Sequence, residues 1–403
     1  MGVKMRILII NETCGTGSHG KICVELAEKF RAEGNECYIG YGRHACVEEK
    51  YKDFSIRVGN DRDVKFHALI TRIFDAHGFG SRIATKKFLK WVDKYNPELL
   101  LLHNIHGYFI NVELLFKWIK RKPNLNVIWT LHDCWAFTGH CSHFMITNCE
   151  QWKTGCKKCP EKRHYPASLV LDRCRINYFR KKSLFTGVPN LKIVVPSQWM
   201  YEMVKMSYLK EYPIVLKYNK IDVSSFVYTP GSFRSKYKIE TKKMLLGVAV
   251  DWIPEKGIYD IIRLSYLLDP IFCIVLVGIT KKEYSKLEDS LNMISYAEEN
   301  IHELIYESPL GVAIYPNVES MYSYLTKSKS LKVLDEHAEV ICIPRTNSKK
   351  ELAEIYSAAD YLINPTHEDN YPTVNLEAIA CGTFVITYDT GGAKETLYRK
   401  EMN

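Results

Sequence analysis

Residues 364–383 read NPTHEDNYPTVNLEAIACGT, and the fold follows from how this stretch is parsed. The run just before it, YLIN at 361–364, is short and apolar, as a buried strand is, while TVNLEAIA at 373–380 reads as a helix ended by Cys381 and Gly382 in a glycine-type cap. Asp369 and Glu377, with seven residues between them, therefore flank a strand-to-helix junction. In a doubly wound sheet such junctions lie at the carboxyl edge, where nucleotides bind and where the N–H groups and dipole of a helix start favour phosphate. Taken alone, two acids at this spacing are also what any half-exposed helix carries.

Working outward, the chain has 403 residues, 46% of them hydrophobic and 25% charged, enough for two domains with substantial cores and unlike a disordered chain. No apolar run approaches the ~18 residues of a membrane helix. The N-terminal RILIIN is too short and wrongly flanked for a signal peptide, so a cytoplasmic protein is expected. The net charge of +9 suits anionic partners such as a nucleotide diphosphate or a lipid-linked phosphate. Mixed basic and aromatic clusters, FKWIKRK at 116–122 and YFRKK at 178–182, raise the expectation of peripheral contact with the inner membrane surface, against the alternative of solvated helix faces with inward aromatics. No nucleic-acid-binding signature is present.

The first half alternates strands and helices as parallel βαβ units do. Its opening strand runs into GTGSHGK at 15–21, which has the G-x-x-x-x-G-K spacing of a phosphate-binding loop but Ile22 where that motif needs a magnesium-ligating hydroxyl. A loop of backbone N–H groups leading into KICVELAEKFRAEG remains a diphosphate cradle that needs no metal. Two later strands, in PELLLLHNIHGYF and VIWTLHDCWAF, deliver His103, Asn104, His106, His132 and Asp133 to one sheet edge, a polar cleft in the making. A cysteine-rich loop follows at 134–160. Its Cys141, Cys149, Cys156 and Cys159 admit a structural zinc, the last two in a C-x-x-C turn, or else are reduced thiols packed in a loop.

The 364–383 stretch resembles the E-x7-E motif of retaining glycosyltransferases of family 4, with Asp369 in place of the first Glu, and ITYDTGGAKE at 386–395 resembles the next strand and glycine turn of that family. HNIHGY and TLHDCWAFTGHC resemble its bacterial exopolysaccharide branch, the colanic-acid-type transferases. VLKYNKID at 215–222 is similar to the family's crossover into the second domain, with Lys220 replacing a glycine. The resemblance implies the GT-B architecture: an α/β chain of two facing Rossmann-like domains, 1–222 for the acceptor and 223–403 for the donor, with the active cleft between them. It implies that Gly17, Ser18, Lys256, Arg345, Glu368, Asn370 and Glu377 contact a nucleotide-sugar donor, with Glu377 on the ribose. It places Asp369 beside the transferred sugar, His132 near the sugar or diphosphate and His106 on the acceptor side.

The implied reaction moves a hexose from a UDP- or GDP-sugar to a hydroxyl of a growing, lipid-linked oligosaccharide with retention, and requires no cofactor for catalysis. The chain departs from the pattern in three further places. The arginine usually found before Lys256 is absent, Asp251 standing there; 284–339 reads as a partly helical insertion; and the chain stops soon after the GGAKE turn, leaving the last layer short. A non-catalytic nucleotide-sugar-binding relative and a nucleotide-sugar epimerase of the same fold are the alternatives.

Overall fold

Strands with near-continuous apolar sequence pack on both faces and therefore pair in parallel under helices, and this chain builds two such sheets. The computed structural model describes residues 4–43, 47–291, 306–308, 312–315, 317–328, 334, 336–346 and 348–397. Contacts divide the chain into Met1–Tyr218 and Asn219–Asn403, each taken by itself.

In the first unit, β1 (Arg6–Ile10), β2 (Glu36–Tyr41), β3 (Ser55–Arg57), β4 (Leu99–Leu102), β5 (Asn126–Thr130), β6 (Leu191–Val195) and β7 (Ile214–Leu216) form one sheet. Their order is β3-β2-β1-β4-β5-β6-β7, and every pair is parallel. Ile10 stands opposite Leu102, and Leu102 opposite Trp129, so the segments after β1, β4 and β5 leave the same edge together. The helix Gly17–Ala32 follows β1 and buries Cys23, Val24 and Ala27 on the sheet. β7 lies where the sequence reading began the crossover, so β6 is not the last strand of this unit. Lys220 is absent from the positive-φ residues, so it replaces the pattern's glycine without strain.

The second unit orders its strands β10-β11-β14-β13-β8-β9-β12. They are β8 (Lys243–Val248), β9 (Phe272–Val277), β10 (Tyr306–Ser308), β11 (Val312–Tyr315), β12 (Glu339–Ile343), β13 (Tyr361–Asn364) and β14 (Phe384–Tyr388). All pairs are parallel except β10 with β11. All six residues of β9 are buried, as a central strand covered on both faces requires. The segment read as a partly helical insertion holds strands as well as helix among the described residues. It supplies the helix Val318–Thr326 and places β11 against the outer side of β14. Residues 292–305, 309–311, 316, 329–333 and 335 of that segment lie outside the described residues.

Among the described residues no helix is long and apolar enough to cross a membrane. The 116–122 cluster turns inward: Phe116, Trp118 and Ile119 are buried in the core. Its lysines are engaged locally, Lys117 with Glu113 at 2.6 Å and Lys122 with Asp93 at 2.8 Å. That stretch is a solvated helix face, the plainer of the two readings.

Candidate functional site

In the second unit, β8 and β13 are neighbours, and the loops leaving them meet. Pro254–Lys256 forms a 3-10 turn stopped by Gly257 at φ +73°, where a Cβ would fall 2.1 Å from the Pro365 carbonyl oxygen. Only glycine permits that approach. The contact is locked by the His367 N–H donating to the Glu255 carbonyl at 2.9 Å and the Thr366 hydroxyl donating to the same oxygen at 3.2 Å. Lys256 Nζ thereby reaches Asp369 Oδ2 at 2.6 Å and the Glu368 carbonyl at 3.5 Å. The other Asp369 oxygen accepts the Tyr371 N–H at 3.1 Å. Glu368 and Asn370 are buried in the same turn.

Pro372 caps the helix Thr373–Ala380, whose length and C-terminal cap at Cys381 and Gly382 match the reading of 373–383. Glu377 accepts the Tyr356 hydroxyl at 2.9 Å, and burial, with the Glu377 charge next, pushes the Tyr356 phenol well up, so it stays a donor. Arg345 lies elsewhere on this edge, donating to the Val250 carbonyl at 3.1 Å and facing Asp251 at 3.5 Å with both side chains largely exposed. Three participants escaped the sequence reading: Tyr356, Gly257 and the His367–Asp260 pair at 2.7 Å. The Asp260 hydrogen bond raises the His367 pKa.

In the first unit the edges of β1, β4 and β5 gather the predicted histidines. Gly17, at φ +69°, and exposed Ser18 begin the helix Gly17–Ala32, which carries His19. The His19 ring lies tilted against His132 with centroids 4.1 Å apart, and His19 Nδ1 meets Asn104 Nδ2 at 2.9 Å. His103 Nδ1 lies 2.9 Å from His132 Nε2. Burial, then the neighbouring His19, holds both rings down, His103 to about 3 and His132 well below its ordinary value, so they are neutral near pH 7.

His106 belongs to a second group, with its Nε2 2.7 Å from Asp133 Oδ2. Burial works against its charge, but the Asp133 carboxylate outweighs it and the His106 pKa is raised. His106 and His132 both line a cavity of about 10 Å³, room for one water, together with His103, Asn104, Asp133 and Trp135. His77, not singled out in sequence, accepts the Gly107 N–H at 3.1 Å behind His106.

The zinc expectation does not fit. Among the described residues, no three His, Cys, Asp or Glu side chains are gathered as a metal ion needs. Cys141 and Cys159 hydrogen-bond to each other, and Cys156 Sγ accepts the Gly139 N–H at 3.2 Å. Cys141, Cys149, Cys156 and Cys159 are free thiols here.

The two parallel-sheet Rossmann-like units give the chain the GT-B fold. Residues 324–401 match the family model for glycosyl transferases group 1. The chain is 22% identical over 406 residues to the putative colanic acid biosynthesis glycosyl transferase WcaC of Escherichia coli, a match spanning 98% of this chain and 86% of that protein. Sucrose-phosphate synthase from Thermosynechococcus elongatus superposes with a TM-score of 0.61 at 14% identity, covering 97% of this chain and 83% of that one. Anabaena HepE, solved with UDP and glucose, gives 0.56 at 13% identity, covering 97% and 82%.

Proposed function

We propose that this chain is a retaining glycosyltransferase of family 4 that moves a hexose from a nucleotide diphosphate sugar to a hydroxyl of a growing, lipid-linked bacterial polysaccharide at the cytoplasmic face. The observation that carries this reading is the convergence of Lys256, Asp369 and the start of the helix Thr373–Ala380 at the carboxyl edge of the second sheet. A cation and a helix N-terminus there suit a departing diphosphate. The WcaC relative supports a polysaccharide acceptor, and HepE with UDP and glucose supports a nucleotide sugar.

In the proposed step the acceptor oxygen bonds to the anomeric carbon as its bond to the β-phosphate oxygen breaks, and the acceptor's proton passes to that phosphate. Lys256 and the helix start stabilise the charge left on the phosphate, and Glu377, fixed by Tyr356, holds the ribose hydroxyls. Asp369, Glu368 and Asn370 frame the sugar, and Arg345, Gly17 and Ser18 complete the donor contacts. His132 approaches the sugar or diphosphate, and His106 the acceptor. No metal has a role in this scheme.

A thermal-shift screen with UDP, GDP and their sugar conjugates, followed by product analysis with and without an oligosaccharide acceptor, tests it. The expected result is a base-selective shift and an acceptor-dependent product of unchanged anomeric configuration. Epimerised donor without acceptor, or a shift with no turnover, refutes the transferase reading.

A further inference from the structure

The cysteine-rich loop of the first unit belongs to a polar cluster that the transfer scheme does not use. Asp75, one residue past the helix Asp61–Phe74, is buried. One of its carboxylate oxygens accepts the Arg173 N–H at 2.8 Å, and the other meets His140 Nδ1 at 2.5 Å. His140 is 2% exposed, and its Nε2, on the opposite side of the ring, has no hydrogen-bond partner among the described residues. A buried ring nitrogen left this way is costly, and such groups mark catalytic or redox positions.

The loop supplies the group on which His140 acts. Cys159 Sγ accepts the Cys141 S–H and the Glu161 N–H, while the Cys159 N–H donates to Asp172 Oδ2 at 2.9 Å. The Cys141 hydrogen bond and then the His140 charge lower the Cys159 pKa against burial, and the Asp75 carboxylate in turn raises that of His140 against its own burial. Surroundings of this kind favour a thiolate, the nucleophilic form of a cysteine.

The neighbouring thiols are held the other way. Burial pushes Cys156 up to about 11 and also raises Cys149. Cys174, raised by burial too, spends its S–H on the Lys157 carbonyl at 3.1 Å. Cys159 is half-buried and open to a small reagent, whereas Cys141 is buried in contact with it. The two sulfurs therefore have what an attacking and a resolving thiol need, unequal access and direct contact.

We propose that Cys159 and Cys141 form a thiol-oxidation site for peroxides, with Cys159 attacking, Cys141 resolving, and His140 held by Asp75 as the positioning residue. In the first step the Cys159 sulfur takes one peroxide oxygen as the O–O bond breaks, and the other oxygen leaves as water. In the second, Cys141 attacks that sulfur, the S–S bond forms, and the hydroxyl leaves as water with the Cys141 proton. Two thiols are oxidised and one peroxide is reduced to two waters; a thiol reductant reverses the bond by exchange. Cys141 shares its turn with Asp133, the partner of His106, and the Cys134 N–H closes that turn on the Ser142 carbonyl at 2.8 Å. The site stands independently of the transferase reading.

The reduced full chain, treated with hydrogen peroxide, blocked with N-ethylmaleimide and digested, tests it by mass spectrometry. The expected product joins the Cys141 and Cys159 peptides, and dithiothreitol restores both thiols. C141S is expected to stop at a Cys159 sulfenic acid that dimedone traps, and C159S to leave Cys141 reduced. H140Q is expected to slow oxidation of Cys159 at least about tenfold relative to Cys149 in the same chain. An unchanged melting temperature under reducing conditions shows that the variants fold. Cys159 reacting no faster than Cys149, a crosslink between any other pair, an unchanged rate ratio in H140Q, or a zinc ion that must be chelated before Cys159 reacts overturns the proposal.

Discussion

Lys256 Nζ stands 2.6 Å from Asp369 Oδ2, so the cation proposed for the donor's diphosphate already has a carboxylate partner. Binding a diphosphate then means sharing Lys256 between two anions. Lys256→Met is expected to abolish the nucleotide-induced thermal shift and to lower kcat on the order of a hundredfold. The pair is partly exposed, and the fold should change by no more than about 1 kcal/mol. A full thermal shift with UDP in this variant would remove Lys256 from the site.

Tyr356 and Glu377 form the other link in this unit, at 2.9 Å. Glu377→Ala is expected to end transfer while leaving a buried hydroxyl without its acceptor, a cost of about 1–3 kcal/mol. Tyr356→Phe keeps the carboxylate but removes this hydrogen bond. It should raise KM for the donor by about tenfold while leaving transfer measurable, at a stability cost of no more than about 1.5–3 kcal/mol, the worth of one neutral-to-charged hydrogen bond. Steady-state kinetics beside calorimetry separates the two.

Acid should destabilise the first unit. Burial holds His103 down to about 3, whereas an unfolded histidine titrates near ~6.5. As pH falls through ~6.5 the unfolded chain takes up the proton first, so stability is lost steadily until the folded pKa is reached, and by pH ~5 the cost at His103 is about 2 kcal/mol. His67, held down to about 4 by burial, and neutral His77 and His132 act in the same direction. His106 does not offset them: its folded pKa is raised, so its contribution is complete below ~6.5 and is lost only as pH rises through the raised value. The melting temperature is expected to drop between pH 7 and 5, and a constant or rising value would contradict these burials.

Asp75 and His140 form a wholly buried pair at 2.5 Å, and Asp75 also accepts the Arg173 N–H at 2.8 Å. Asp75→Ala strands both donors and is expected to cost about 3–5 kcal/mol by denaturant unfolding. A loss below 1 kcal/mol, within ordinary surface effects, would show that the pair is not structural.

Elements with a local signature were legible in sequence. YLIN, LLLL and TVNLEAIA became β13, β4 and the helix Thr373–Ala380 at the expected residues, because an apolar run or a glycine cap is decided within a few positions. The histidines at the ends of β4 and β5 were legible for the same reason. What escaped depends on partners far along the chain. Tyr356 matters only because Glu377 stands above it, His367 because Asp260 faces it, and His77 because the Gly107 N–H points at it. β7 is three residues long, too short to carry a period of its own. The cysteine spacing suggested ligands, but spacing does not say where each thiol finds its nearest donor or acceptor.

The pairing of β8 with β13 also sets a timetable. A chain emerging from the ribosome holds every strand of the first sheet once Leu216 is out, and that unit can condense early. The second sheet cannot do so: Leu245 must wait for Tyr361, and Val312 for Val385, so β8 is made long before one of its two neighbours exists. Until β13 and β14 have emerged, an apolar strand edge lies open to whatever binds unpaired strands. Nascent-chain chaperones and early stop codons should therefore act most strongly on the second unit, while the first is already folded.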